Sequence, residues 1–515
     1  VGSRGTPTST STDDASIDDL LIVGGGINGV GIARDAAGRG LKVTLVEQDD
    51  LARHTSSWSS KLIHGGLRYL EHREFRLVRE ALQERLVLLR LAPHLVSPLR
   101  FVLPHSPEQR PAWIIRLGLF LYDHLSSRGC LPGSGPVCLE DTPEGAPLRP
   151  WVKRAFTYAD CAVDDSRLVV VNAIDARERG ARIRTRTRCL GAVREADHWR
   201  VTLEDRASGR KEERFCRILV NAAGPWVSAF LQSGLGFNGP SRVRLVKGSH
   251  IVVRRLYEGD HAYILQNDDR RIVFVIPYRD HYSLIGTTDV SEEGPPREVA
   301  ISDAEIDYLC GVVNRYLAQP ITADAIVWSF AGIRPLYDDA SSNPSAVTRD
   351  YVFDLDAPGG RAPLLSIFGG KLTTYRRLAE HALAKLEPLI PGLAPPWTAN
   401  ACLPGGDMPN GDLLTFASGF AQRHRWLPAP VALRLARAYG TRADRIVGKA
   451  RSVDDMGGDI GSGLTPAEID YLVREEWVCT ADDVLWRRTK LGLEAPPSLV
   501  DAIDAHIHPL LRESA

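Results

Sequence analysis

The residues best placed to do chemistry form a glycine loop near the start of the chain. Gly24-x-Gly26-x-x-Gly29 follows the apolar run Leu20–Val23 and opens a stretch of helical character from about Asn28 to Ala37. In such a loop the first glycine allows the tight turn and the second lets backbone approach a pyrophosphate. The third lets helix and strand pack closely. The helix start then turns free N–H groups and the positive end of its dipole toward phosphates. Glu47 closes the next apolar run, where a carboxylate can accept hydrogen bonds from a ribose. That acid argues against NADP and leaves NAD and FAD open. Two later segments point to FAD. Leu219-Val-Asn-Ala-Ala-Gly-Pro-Trp226 runs from a strand into small residues, among them Ala223 and Gly224, where backbone can pass close to a flat ring. Ser366 to Tyr375 reads as strand, glycine turn and helix start. The N-terminus of that helix, at Gly370, Leu372 and Thr373, can face the O2 edge of a flavin.

A second set of residues suits an anion. Arg68, Arg334, Arg349 and Lys371 lie in motif-like segments, several beside glycine turns or strand ends. A phosphate dianion needs several cations, and the arginine fork offers paired hydrogen bonds that lysine cannot. Tyr69 adds a neutral donor. His250, in Lys247-Gly-Ser-His250, has the titration range of a general base, although a buried structural histidine would look the same. His64, beside Gly65-Gly66, is placed to contact a flavin.

The elements that must position these residues follow from periodicity and turn chemistry. Strand, glycine turn, helix and strand within about 30 residues make a βαβ unit. Residues 74–92 carry leucines at helical spacing and are stopped by Pro93. Short β-rich runs dominate 215–290 and 326–368, including 251–253, 272–277, 283–286 and 364–368. Helical signals return after residue 400. Thr465-Pro466-Ala467-Glu468 has a helix N-cap, a first-turn proline and a capping acid, and Thr480 with Asp483 repeats the logic. The Pro-rich stretch 391–404 reads as a linker.

The chain has 515 residues, 44% apolar and 25% charged, with a net charge of −1. That length predicts two or three domains, and the balanced charge excludes a global attraction to nucleic acid. The eight cysteines are scattered without a CxxC pair, which fits reduced thiols in the cytoplasm rather than a disulfide framework or a metal site. No apolar run reaches the roughly 18 residues of a membrane span. Residues 1–17 are polar and small and read as a disordered tail without the apolar core of a signal peptide.

The motifs together resemble the aerobic, FAD-dependent glycerol-3-phosphate dehydrogenases of the bacterial membrane-associated type. The segments carrying the resemblance are Gly24 to Gly29, Thr55-Ser-Ser-Trp-Ser-Ser-Lys-Leu-Ile-His-Gly-Gly-Leu-Arg-Tyr-Leu-Glu71, Leu245 to Val253, Ile285-Gly-Thr-Thr-Asp289, Gly332-Ile-Arg-Pro-Leu336, Thr348-Arg-Asp-Tyr351 and Phe368-Gly-Gly-Lys-Leu-Thr-Thr-Tyr375. They run in the family's order from about residue 18 to at least 495. The resemblance implies an α/β and α+β architecture: a Rossmann-type FAD-binding domain like that of D-amino-acid oxidase, a β-rich substrate domain and a helical C-terminal cap. The expected boundaries are an oxidoreductase region at 18–395 and a helical domain at 396–515. Within the first, flavin-binding parts fall at about 18–80, 155–235 and 360–390, the substrate sheet at about 236–355, and a helical insertion at about 81–150. The resemblance places Arg68, Tyr69, Arg349 and Lys371 around sn-glycerol 3-phosphate and Arg334 near the reacting carbon. Gly24, Gly26, Gly29, Glu47, Ser60, His64, Ala223, Gly224, Gly370, Leu372 and Thr373 are expected at a non-covalently bound FAD. Arg334 and His250 are the expected catalytic residues, oxidising the substrate to dihydroxyacetone phosphate, and no metal is expected.

The electrons must then leave a flavin that cannot diffuse. Residues 112–122 are apolar almost all round and too short to span, so they suit either a buried core helix or the headgroup region of a bilayer. Arg110, Arg116, Arg128, Lys153 and Arg154 nearby suit anionic lipid. The resemblance implies a homodimer, peripherally bound to the inner face of the cytoplasmic membrane and reducing ubiquinone. The competing readings are a glycerol-3-phosphate oxidase that reduces oxygen and a non-catalytic flavin-binding sensor.

Overall fold

The computed structural model describes residues 17–106, 110–237, 243–269, 271–338 and 350–514. The expected polar tail, 1–17, lies almost wholly outside them, as does Arg349. Two sheets carry the first four-fifths of the chain. The flavin-type sheet has a parallel centre in the order Leu364–Phe368, Lys211–Asn221, Asp18–Val23, Val43–Val46, Arg182–Arg184. Its inner strands read as continuous apolar runs because helices cover the parallel core. The helices Ile27–Gly38, Asp165–Glu178 and Tyr375–Leu386 pack together over it, with Val30, Ala33, Leu168 and Leu383 fully buried.

The second sheet has ten strands and is almost entirely antiparallel. The twelve-residue strand Val243–Arg254 pairs with Tyr282–Gly286, Val290–Glu292 and the equally long Ile326–Tyr337. The helix Asp303–Tyr316 packs on one side of it, started by a capping box in which Ser302 and Glu305 bond reciprocally. Glu305 reaches beyond that box. It accepts from Ser249 and Thr288 hydroxyls at 2.8 and 2.7 Å and lies 3.0 Å from Lys247 Nζ. Burial alone would raise its pKa, but these hydrogen bonds hold it down to about 2. The carboxylate thus ties the 286–289 loop to the back of the sheet.

The stretch 81–150 is not the wholly helical insertion expected. Between the helices Phe75–Leu91 and Ala112–His124 it carries a ten-residue strand, Val96–His105, paired along its length with Arg154–Val163. Pro98 and Pro104 disguise it, since proline usually rules out an interior strand. Both are tolerated because the other neighbour, Ala262–Gln266, pairs only at Phe101 and Val102. Arg154–Val163 itself therefore belongs to the second sheet rather than to the flavin-type part.

After residue 397 the chain is helical and has its own core, including Phe420, Leu435, Leu472 and Ile503. Thr465 caps Pro466–Glu476 as its sequence predicts. This domain is locked to the flavin-type part by buried ion pairs, among them Arg167–Glu476 and Arg488–Asp50. At the same junction His94 is buried with both ring nitrogens unpartnered. Burial, reinforced by the Arg167 charge, holds its pKa down to about 3. The folded protein therefore keeps His94 neutral, while the unfolded chain takes up a proton below about pH 6.5. Stability is expected to fall as pH drops from 6.5 toward 3, by up to about 1.4 kcal/mol per pH unit from this group. Thermal midpoints of His94→Leu should fall less steeply with acid than those of the parent. Parallel slopes would show that His94 is not held neutral.

Candidate active site

The glycine loop is built as tightly as its sequence demands. Gly24 has φ of 117°, and a Cβ there would lie 2.4 Å from the Ala222 carbonyl oxygen. A Cβ on Gly29 would fall 1.9 Å from the Gly24 carbonyl oxygen, so Gly29 serves helix–strand packing and stands behind the cleft wall. The helix Ile27–Gly38 has no capping side chain at Gly26, although the Ile27 amide donates to Ser56 Oγ at 3.0 Å. Glu47 accepts from the amides of Gly25 at 2.6 Å and Asp49 at 2.9 Å, bracing the loop from the end of the second strand. Burial raises its pKa against the pull of those two amides. Glu47, Asp49 and His54 approach one another closely enough for a cation, but these bonds and the His54–Asp49 contact at 2.9 Å already engage them.

A cleft of about 1300 Å³ runs from this loop between the two sheets. It exceeds the usual 300–1,000 Å³ of a small-ligand site, as a dinucleotide plus a substrate requires. Gly24, Gly26, Glu47, Ser60, His64, Ala223, Gly224, Gly370, Leu372 and Thr373 all line it. Asn28, passed over in sequence, lies where the loop meets Gly369-Gly370. Its Nδ2 donates to the Gly369 carbonyl at 3.0 Å, and its Oδ1 is buried with no partner. A Cβ on Gly370 would meet that amide at 2.7 Å. Thr373 Oγ1 accepts from the His64 amide at 3.2 Å, joining the two segments expected at the flavin. The uncapped helix start, the orphaned amide oxygen and the glycine surfaces fit a phosphate-bearing flavin nucleotide.

The substrate-side residues share the same cleft: Arg68, Tyr69, Lys371, Arg334 and His250 all line it. Lys371 Nζ lies 4.0 Å above the Tyr69 ring, which rests on Gly66, where φ is 74° and a Cβ would come within 2.2 Å of the ring. Arg68 is half-buried and has no hydrogen bond or ion pair among the described residues. Arg334 donates to the Thr288 carbonyl at 2.9 Å and pairs with Asp289. Strand register explains the grouping. His250 stands opposite Gly286 on one neighbour and Phe330 on the other, and Arg334 stands opposite Val246. Even spacing puts His250, Phe330 and Arg334 on one face, with the facing pair Gly248 and Gly332 between them. The missing Cβ at Gly332 makes room for Trp58, which a Cβ would approach to 2.5 Å, and that at Gly248 for Thr287 and the Arg334 guanidinium, at 2.7 and 2.8 Å.

His250 is 3% exposed. Its ring stacks on Phe330 at 4.7 Å, its Nε2 lies 2.9 Å from Ser60 Oγ, and its Nδ1 has no partner. Burial, then the Lys61 and Arg334 charges, hold its pKa down to about 3. Lys61 was missed in sequence, as was its partner. Its ammonium meets both carboxylate oxygens of Asp165, at 3.0 and 2.9 Å, across 104 residues of chain. Its backbone is held in the left-handed region, with φ of 57°, a conformation that costs free energy and clusters at functional sites.

The apolar helix Ala112–His124 is not a buried core helix. Trp113 is 68% exposed, and Leu117 and Phe120 are 50% exposed, while Leu119 and Tyr122 turn inward. Tyr122 donates to Asp160 at 2.8 Å and accepts from the Gly65 amide at 2.9 Å, tying this helix to the segment beside His64. Ile114, Leu117 and Leu121 also line the cleft. No helix among the described residues is long and apolar enough to cross a membrane. All eight cysteines are unpaired.

Comparison with known proteins fits this geometry. The family model described as FAD dependent oxidoreductase matches residues 19–376, and that described as the C-terminal domain of alpha-glycerophosphate oxidase matches 397–513. A glycerol-3-phosphate dehydrogenase of Pseudomonas aeruginosa is 57% identical over 94% of both chains. A D-erythritol 1-phosphate dehydrogenase of Brucella abortus is 51% identical over 92% of this chain and 94% of its own. The crystal structure of a glycerol-3-phosphate dehydrogenase from Bacillus halodurans complexed with FAD superposes with a TM-score of 0.75, at 27% identity, over 97% of this chain and 90% of that one. With its glycine loop, its two-sheet cleft and its helical C-terminal domain, the chain belongs to the FAD-dependent oxidoreductases, in the family of the flavin-dependent glycerol-3-phosphate dehydrogenases.

Proposed function

We propose that the protein oxidises sn-glycerol 3-phosphate to dihydroxyacetone phosphate and passes the electrons to ubiquinone at the membrane surface. The observation that carries this reading is the convergence of Arg68, Lys371 and Arg334 on one cleft with the dinucleotide loop. A carboxylate substrate would need one cation, and a phosphate dianion needs this many. Bound FAD supplies the acceptor for the C2 hydride and the relay to the quinone. Arg68 and Lys371 hold the phosphate, with Arg349 as a further phosphate ligand. Arg334, oriented by Asp289, meets the oxygen that gains negative charge as its proton leaves. His250 and Ser60 both line the cleft, but His250 is almost fully buried, whereas Ser60, hydrogen-bonded to its Nε2, is only partly buried and is the more accessible of the two. The C2 hydroxyl gives its proton to Ser60 Oγ as the Ser60 proton passes to His250 Nε2. The incoming dianion raises the depressed pKa of that imidazole by adding negative charge beside it.

The 51% identity to an erythritol-phosphate enzyme makes chain length the specificity question. Rapid reduction by glycerol 3-phosphate and slow reduction by D-erythritol 1-phosphate is expected, and the reverse order would reassign the substrate. Peroxide formation well below one per turnover in air, with fast turnover on a ubiquinone analogue, separates the dehydrogenase from an oxidase. The exposed face of Ala112–His124 supports an interfacial helix, apolar to the acyl boundary and flanked by Arg110 and Arg116. Flotation with vesicles containing anionic lipid should fail for Trp113→Glu combined with Phe120→Glu, two exposed residues outside the cleft, while glycerol 3-phosphate still reduces the flavin. Unchanged flotation would remove this helix from the interface.

A further inference from the structure

The C-terminal helical domain reaches the active site through one turn. Thr480 and Asp483 form the N-terminal cap their spacing predicts, but the turn they start, Asp483–Arg488, is a π-helix rather than an α-helix. Such turns are rare and recur at functional sites. Arg487 and Arg488 bind the buried Asp50 at 2.6 and 2.8 Å, which anchors the turn on the flavin-type part just after Glu47. From this anchorage two lines of contact run to the same place. Trp486 stacks on Trp328 at 4.4 Å with the planes 21° apart, Trp328 lies 5.0 Å from Phe330, and Phe330 carries the His250 ring. Lys490 Nζ donates to Ser166 Oγ at 2.6 Å and stands 3.6 Å from Asp165, which grips Lys61. The Lys61 ammonium in turn sits 5.2 Å above Phe330. Neither Trp486 nor Lys490 lines the cleft.

The imidazole of His250 needs such support. It has one hydrogen bond, to Ser60, and an unpartnered Nδ1, so it can pivot about that bond unless its plane is fixed from the side. Gly286 offers no side chain to fix it, since a Cβ there would lie 2.1 Å from the ring. The plane is set by Phe330, and Phe330 is set by Trp328 and Lys61. We propose that Trp486 and Lys490 are positioning residues of the C-terminal domain, which align His250 with Ser60 through Trp328–Phe330 and Asp165–Lys61. The inference rests on the reading of His250 as proton acceptor.

The test is anaerobic stopped-flow reduction of the FAD-loaded full chain by glycerol 3-phosphate, in Trp486→Leu, Trp486→Phe, His250→Gln and the Trp486→Leu/His250→Gln double variant. Trp486→Leu should lower the limiting reduction rate about tenfold, as misalignment of a proton-transfer pair does. Its apparent substrate affinity and its flavin content should stay within about twofold. Trp486→Phe should recover most of the rate. In the His250→Gln background the leucine substitution should cost less than about twofold more, because the residue it positions is gone. A full rate per bound flavin in Trp486→Leu, with only the thermal midpoint lowered, would reduce the turn to a structural strut. Equal losses in both backgrounds would also overturn the inference. If His250→Gln alone keeps the full rate, the proton-acceptor reading falls first and this inference with it. Should Trp486→Leu not fold, Lys490→Met is read in the same way.

Discussion

Arg334→Ala is expected to slow flavin reduction by glycerol 3-phosphate by about 10²–10³-fold, the usual cost of removing one preorganised donor from a developing oxyanion. FAD should remain bound, because Arg334 belongs to the Ile326–Tyr337 strand of the second sheet and touches none of the glycine turns that form the dinucleotide loop. Asp289 and the Thr288 carbonyl fix the guanidinium before any substrate arrives, and Glu305 anchors Thr288 from behind. Lysine at 334 should recover only part of the loss, since one ammonium cannot satisfy Thr288 and Asp289 and also face the substrate in the geometry of a fork. A normal limiting rate in Arg334→Ala, with flavin retained, would take this arginine out of the chemistry.

His250→Gln is expected to lower the limiting reduction rate by about 10²–10⁴-fold, the range attributed to general acid–base catalysis. The pH dependence carries a sharper signature. In the ligand-free protein, burial and the Lys61 and Arg334 charges hold the imidazole down to about 3, so it is neutral and able to accept a proton throughout the neutral range. Activity limited by this group falls only as pH drops through its pKa in the complex. That limb should therefore lie below the pH 6.5 of an ordinary histidine and disappear in His250→Gln. Removing the Lys61 charge with Lys61→Met should move the limb upward. The Arg334 charge, also facing the ring, and the Asp165 and Lys490 charges behind Lys61 remain in that variant and set the residual shift. A limb unchanged in His250→Gln would assign the proton to another group.

Contiguous motifs made much of the flavin site legible in the sequence. Gly24 and Gly29 announce their turn because each is constrained by atoms a few residues away or by one packed strand, whereas a Cβ on Gly26 would meet only the Ser56 hydroxyl, at 3.1 Å. The segment at 366–375 reads correctly for the same reason: strand, glycine turn and helix start are all local. Three features resisted. The strand Val96–His105 hides behind two prolines whose tolerance depends on how little its second neighbour pairs. The Lys61–Asp165 and Arg488–Asp50 pairs join residues 104 and 438 positions apart, and neither leaves a periodicity to find. The exposure of Ala112–His124 was also undecidable, because a helix apolar all round gives the same pattern in a core and at a membrane surface. His250 lies between these cases. Its residue type suggested a base, but only strand register shows that it is buried against Phe330 and reachable through Ser60.

The most direct test of the account is the visible spectrum of the purified protein without oxygen, before and after addition of glycerol 3-phosphate. The account predicts an oxidised flavin band that bleaches on addition and returns when a ubiquinone analogue follows. A bound flavin that stays oxidised with glycerol 3-phosphate would contradict the assigned substrate and the roles given to Arg334 and His250, leaving only the fold and the cofactor standing.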